Sequence, residues 1–109
     1  MSVDVLLLTA LPEEYDALIA AAERKAPDFP GVAEWRQVAG NMPYAVGDFH
    51  TGGGDVISMA VAKPTRMGGA AMGRLAAYLT NELRPGCLAM SGVYAGNPDR
   101  VALGDVVVA

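Results

Sequence analysis

The sequence predicts an α/β fold with a mixed central sheet, and three observations carry that prediction. Short apolar runs at residues 3–9 and 87–90 have the length of strands. Two segments with apolar residues at helical spacing begin near residues 12 and 67, and each stands next to one of these runs. The segment between the two helices contains short apolar stretches separated by turn sequences, which is typical of an antiparallel meander.

The first strand leads directly into the first helix. Apolar residues in 3–9 are consecutive rather than alternating, as expected of a strand covered on both faces. Pro12 suits the first position of a helix, and the two carboxylates that follow complement the positive helix N-terminus. Pro27 and Pro30 are expected to end the helix. The apolar stripe of this helix comprises Tyr15, Leu18, Ile19 and Ala22.

Three short strands are predicted next, at residues 35–38, 44–49 and 56–62. The intervening segments, 40–43 and 51–55, are rich in glycine, asparagine, aspartate and proline, the residues that favour tight turns. Connections this short join antiparallel neighbours, so the three strands are expected to form a meander.

The second helix is predicted over residues 67–83, and the Arg84-Pro85-Gly86 sequence ends it. The strand at residues 87–90 follows, so this helix is expected to form a right-handed crossover between parallel neighbours, the third meander strand and the new strand. A last strand is predicted at residues 106–108. The apolar face of the helix comprises Met72, Leu75, Ala76 and Leu79.

Composition limits the class of protein. The 109 residues fit one domain, and the net charge of −4 argues against a nucleic-acid surface. No apolar run approaches the ~20 residues that a membrane helix needs. The start lacks a basic segment typical of a signal peptide, which favours a cytoplasmic protein. Cys87 is the single cysteine and is expected to be a buried, inert thiol, whereas His50, the single histidine, is expected to be solvated. No metal-ligand spacing occurs, so no cofactor is predicted.

Three loops follow strand ends, where open α/β sheets bind ligands. In residues 9–14, Glu14 is either a helix cap or a functional carboxylate, while Glu13 is expected to be only a cap. Residues 63–69 place Lys63 and Arg66 before a helix, which is typical of an anion cradle or of a solvated loop. Residues 91–96 lack the GxGxxG pattern of a dinucleotide fold.

Three stretches of the chain resemble a known family. They are the Val5-Leu6-Leu7-Leu8-Thr9-Ala10-Leu11-Pro12-Glu13-Glu14-Tyr15 segment, the Arg66-Met67-Gly68-Gly69 segment, and residues 85–109 with the Ser91-Gly92-Val93-Tyr94-Ala95-Gly96 loop. Together they are similar to the N-terminal half of the nucleoside phosphorylase/nucleosidase superfamily, which includes the methylthioadenosine/S-adenosylhomocysteine nucleosidases. The resemblance implies a three-layer αβα phosphorylase/hydrolase-like fold with a mixed central sheet. Residues 1–109 would be its N-terminal portion, truncated, with the C-terminal half absent.

The resemblance also implies roles for individual residues. Glu14 falls where the nucleosidases have the glutamate that orients the attacking water. Met90 and Val93 fall where hexameric-type phosphorylases keep a phosphate-binding arginine and serine, and neither side chain can bind an anion. Hydrolysis of a nucleoside or nucleotide is therefore favoured over phosphorolysis. The substrate-binding residues would be Ala10, Arg66, Met67, Gly68, Val93, Tyr94, Ala95 and Gly96.

The family's ribose-binding strand and the aspartate that protonates the purine belong to the half that has no counterpart here. The chain alone is therefore expected to be inactive, and to form a homo-oligomer or to be completed by further chain. The alternative is a non-catalytic remnant of this fold that binds a nucleoside or serves regulation or assembly. A flavodoxin-like binding domain is a weaker alternative, because the meander between the two helices counts against it.

Overall fold

The computed structural model describes residues 2–24, 30–40, 42–64, 69–92, 99–100, 102 and 106. Its described part is an α/β unit with one six-stranded sheet and two helices. The elements are β1 (Val5–Leu8), α1 (Pro12–Glu23), β2 (Gly31–Val32), β3 (Arg36–Val38), β4 (Tyr44–His50), β5 (Val56–Ala62), α2 (Gly69–Leu83) and β6 (Cys87–Met90).

The sheet is open and mixed, as predicted. Its strand order is β2-β4-β5-β1-β6, and β3 also pairs with β4. β1 is parallel to both β5 and β6, whereas β4 is antiparallel to β2, β3 and β5. The predicted meander is therefore confirmed as β3-β4-β5, and the strand predicted at residues 56–62 has those bounds in the structure.

The order of the parallel strands differs from the prediction. The α2 crossover joins β5 to β6, but these two strands are not neighbours, because β1 lies between them. β1 consists of four consecutive apolar residues, Val5–Leu8. It forms backbone hydrogen bonds with β5 on one side and with β6 on the other. The helix thus passes over the first strand of the chain on its way to the edge of the parallel group.

Strand β2 was not predicted, because it has only two residues and begins at a sequence expected to end a helix. Helix α1 already ends at Glu23. Gly31 then has a φ of +70° and is buried, and a Cβ at this position would overlap the carbonyl oxygen of Ala22. Glycine therefore permits close approach of β2 to the end of α1.

The core lies between α2 and one face of the sheet. Leu75 and Leu79 are buried and cluster with Leu6 and Leu8 of β1, so the predicted apolar face of α2 is confirmed. The other face of β1 is less covered. Val5 and Leu7, which lie on that face, are only half-buried, and α1 has no fully buried residue. The expectation of a strand fully covered on both faces is therefore met on one face only.

Cys87 is exposed, so the prediction of a buried thiol is wrong. It lies on β6, which pairs with β1 alone and forms the edge of the sheet among the described residues. Leu88 and Met90 on the same strand are 48% and 65% exposed. An apolar neighbourhood in sequence did not bury the thiol because no described element covers this edge.

Two further predictions concern the end of the chain and membrane association. Of the strand predicted at residues 106–108, only Val106 is described, and it is 87% exposed and outside any strand. In the part of the chain that the structure describes, neither helix has the length and apolar character needed to cross a membrane.

Candidate functional site

The carboxyl ends of β1, β5 and β6 meet at one edge of the sheet because the three strands are parallel. Backbone hydrogen bonds continue past the strand ends and hold the outgoing loops together. Thr9 N donates to Ala62 O at 3.0 Å, and Ser91 N donates to Leu8 O at 2.9 Å. The first residues of the three predicted site loops therefore start side by side, in the place where α/β sheets bind ligands.

Glu14 is fixed at this edge by two backbone amides. Its Oε1 accepts hydrogen bonds from Ala10 N at 3.1 Å and Leu11 N at 3.0 Å. Glu14 is the third residue of α1, and Leu11 is the residue that caps the helix. A side chain that reaches back to the cap amide from this position satisfies donors that the helix itself leaves unpaired. The carboxylate is thus held in a defined orientation, and Glu14 as a residue is half-buried.

The loop after β6 touches the same carboxylate. A Cβ placed on Gly92 would lie 2.9 Å from Glu14 Oε2 and 3.4 Å from its Cδ. The first and third predicted site loops therefore converge on Glu14, although Gly92 is far from it in sequence. A lone glycine in a loop gave no signal that it would contact a carboxylate.

The loop after β5 contributes a cation that contacts the first helix. The Lys63 ammonium lies over the ring of Tyr15, with its Nζ 4.7 Å from the ring centroid. An interaction of this kind is worth about 0.5–1 kcal/mol at an exposed site. Lys63 is thereby held against α1, so one of the two cations of the predicted anion cradle has an aromatic partner.

Thr9 is a further polar group at this edge that sequence reasoning did not single out. It is 1% exposed, and its Oγ1 has no hydrogen-bond partner among the described residues. Leaving a buried hydroxyl unpaired costs about 1–3 kcal/mol. The available signal was a hydroxyl at the end of an apolar run, directly before Ala10.

The remaining predicted site residues divide into three groups. Ala10 is exposed, and its amide binds Glu14, whereas Glu13 is exposed on the helix surface. His50 lies at the other end of the sheet, because it pairs with Val56 at the start of β5. The rest lie outside the described residues: Arg66, Met67, Gly68, Val93, Tyr94, Ala95 and Gly96.

A separate cleft of about 720 Å³ lies near the amino end of β5 and is lined by Trp35, Asp48, His50 and Ser58, among others. It mixes both signs of charge and does not include Glu14. Within the described residues, no group of three histidine, cysteine, aspartate or glutamate side chains is placed to hold a metal ion. The carboxyl edge around Glu14 is therefore the better candidate site.

Comparison with known proteins adds no relative to this picture. No family model, curated protein or solved structure matches the chain. The class that fold and site define is an α/β protein with a mixed open sheet and an oriented glutamate at the carboxyl edge of its parallel strands.

Proposed function

We propose that this chain supplies the nucleophile side of a site that cleaves the N-glycosidic bond of a nucleoside or nucleotide. In this proposal Glu14 orients the attacking water. One observation carries it: the Glu14 carboxylate is held by the Ala10 and Leu11 amides at the carboxyl edge of the parallel strands, against Gly92. In the family that the chain resembles, the nucleosidases have their water-orienting glutamate at the position of Glu14.

The chemistry demands a carboxylate that is fixed rather than mobile. Hydrolysis breaks the bond between the sugar C1′ and the base nitrogen through an oxocarbenium-like sugar, and water attacks C1′ as the base departs with the bonding electrons. The water loses a proton to a nearby base, and the departing nitrogen gains one. Two amides on Oε1 would hold the Glu14 carboxylate in one orientation throughout that step.

Hydrolysis fits the described residues better than phosphorolysis. Met90, which is 65% exposed at the end of β6, carries a thioether that cannot donate a hydrogen bond to phosphate. Lys63 is held over the Tyr15 ring. A phosphorolytic site would need cations or hydroxyls aimed at the anion. Among the described residues at this end of the sheet, Thr9 is buried and Lys63 lies over an aromatic ring, so Ser91 is the exposed hydroxyl.

The proposal includes a three-layer phosphorylase-like fold. α2 covers one face of the sheet with buried leucines, whereas Val5 and Leu7 on the opposite face of β1 remain half-buried. A parallel group of strands is normally covered on both faces. Half-buried apolar residues on the second face therefore support a further layer over β1.

The second candidate function is a remnant of this fold that binds or regulates without chemistry. It is favoured by the same hydrogen bonds, because a glutamate that reaches the amide of the cap residue is a common way to stabilise a helix start. A capping role alone requires neither Gly92 nor a bound water. The two candidate functions can be told apart by product formation, because the enzyme releases a free base and a sugar whereas the remnant releases neither.

The decisive experiment measures the products formed from nucleosides and nucleotides, with and without inorganic phosphate. It uses the chain alone and the chain joined to whatever the coding DNA encodes beyond codon 109. From the longer form we expect free ribose from a nucleoside, or ribose phosphorylated at C5 from a nucleotide, at a rate independent of added phosphate. We expect no turnover by the chain alone. Ribose 1-phosphate as the main product would show phosphorolysis instead. A stop codon directly after codon 109, together with no product, would favour the remnant.

A further inference from the structure

We infer that Gly92 is a positioning residue for Glu14: its missing side chain makes the space that the carboxylate occupies. This inference rests on the proposed function for its catalytic meaning, but its geometry stands without it. The three nearest heavy atoms to a Cβ on Gly92 are all atoms of the Glu14 carboxyl group, at 2.9 Å (Oε2), 3.4 Å (Cδ) and 3.5 Å (Oε1).

Backbone conformation does not explain the glycine. The left-handed φ values of the described glycines occur at Gly31, Gly40 and Gly54, and Gly92 is not among them. An alanine at position 92 would thus meet no backbone strain of that kind. What it would meet is the carboxylate, at a distance that Cβ atoms do not tolerate.

The clash can be relieved by moving Glu14. A glutamate carboxylate is the far end of a flexible side chain, so a rotation of its torsions removes the overlap without disturbing β6. Because Oε1 and Oε2 belong to one rigid carboxyl group, we expect the same rotation to weaken the hydrogen bonds from Ala10 and Leu11 to Oε1. Gly92→Ala should therefore displace the carboxylate while the fold persists, and a displacement of about 1 Å can lower a catalysed rate by about 10²-fold.

The test follows the amide protons of Ala10 and Leu11 by NMR on the ¹⁵N-labelled chain, over the pH range in which carboxylates titrate. In the unaltered chain both amides should shift as Glu14 titrates, and in Glu14→Gln that shift should disappear. In Gly92→Ala we expect the pH-dependent shift of both amides to be largely lost, as it is in Glu14→Gln, and the thermal midpoint to fall by no more than it falls in Glu14→Ala. Gly53→Ala is the matched control, because its Cβ would meet only Thr51 Oγ1, at 4.0 Å.

A stability comparison keeps the inference testable if Gly92→Ala unfolds the chain. In a Glu14→Ala background the carboxylate is gone, so adding Gly92→Ala should leave the thermal midpoint where Glu14→Ala puts it. Equal destabilisation in both backgrounds, or wild-type amide shifts in Gly92→Ala, would overturn the inference. In a form that hydrolyses nucleosides, Gly92→Ala should lower kcat by about 10²-fold. Altered amide shifts in Gly92→Ala, together with no hydrolysis by the longer form described above, would reject the proposed function and keep the positioning role.

Discussion

At the scale of single residues, Glu14 satisfies two demands with the same atoms. A helix start needs an acceptor for its cap amide, and a water-activating carboxylate needs a fixed orientation. The hydrogen bonds from Ala10 and Leu11 to Oε1 meet both needs. The geometry alone therefore does not tell whether Glu14 acts as a helix cap or as a catalytic carboxylate, but a substitution does.

Glu14→Gln separates them because the amide side chain keeps its size and a carbonyl oxygen for the two backbone donors, but cannot accept a proton from water. In a form that turns over, hydrolysis should fall by about 10²–10⁴-fold while substrate binding persists. Initial rates and a binding titration measure the two effects. Glu13→Gln is the control, since Glu13 is exposed on the same first turn. If both variants turn over normally and lose only about 0.3–1 kcal/mol of stability, Glu14 is a cap.

Contacts between site residues could be predicted only where the residues are close together in the sequence. Glu14 lies four residues after Ala10, in the loop and helix start that directly follow β1, so its place at the strand end could be predicted from sequence. The contact with Gly92 joins loops that lie at opposite ends of the chain, and no local pattern encodes it. The exposure of Cys87 was missed for a related reason, because burial depends on which element covers a strand.

At the scale of elements, α2 stabilises the parallel strands. Its leucines at helical spacing cluster with Leu6 and Leu8, and Ala76 packs against the same cluster. This spacing made the helix and its buried face predictable. The strand order was not, because a crossover helix has the same sequence pattern whether it spans one strand or two.

Leu79→Ala should reduce the free energy of unfolding by about 2–5 kcal/mol, because Leu79 is fully buried in this cluster and its loss leaves a cavity. Urea unfolding followed by circular dichroism gives the value. Thr80→Ala is the adjacent control on the exposed side and should change stability by no more than about 0.5 kcal/mol. Similar losses in the two variants would mean that α2 does not pack on β1 through this face.

At the scale of the whole molecule, the outermost parallel strand of the sheet, β6, exposes apolar side chains. Leu88 and Met90 of β6 are 48% and 65% exposed, and β6 pairs with β1 alone among the described elements. Sheet edges of this kind attract other strands unless they are charged or covered. We propose that this edge is covered by another copy of the chain or by further chain, and in isolation it should promote self-association.

Light scattering over a range of protein concentrations measures that association. Met90→Lys should lower the apparent mass, because a lysine on an edge strand opposes strand addition. Tyr78→Lys is the control, since Tyr78 is an exposed apolar residue on α2 rather than on the edge. A parent chain that remains a monomer with cooperative unfolding would contradict the expected self-association.

The position of β1 between β5 and β6 also fixes the order in which the sheet can be completed during synthesis. Residue 8 pairs with residues 62 and 90, whereas β4 and β5 are joined through a short turn at residues 51–55. Pairings between distant segments must overcome a larger loop-closure entropy, so the antiparallel pair can form first. Strand β1 therefore leaves the ribosome before both of its neighbours and must wait for them, and any delay in translation prolongs its exposure to other nascent chains.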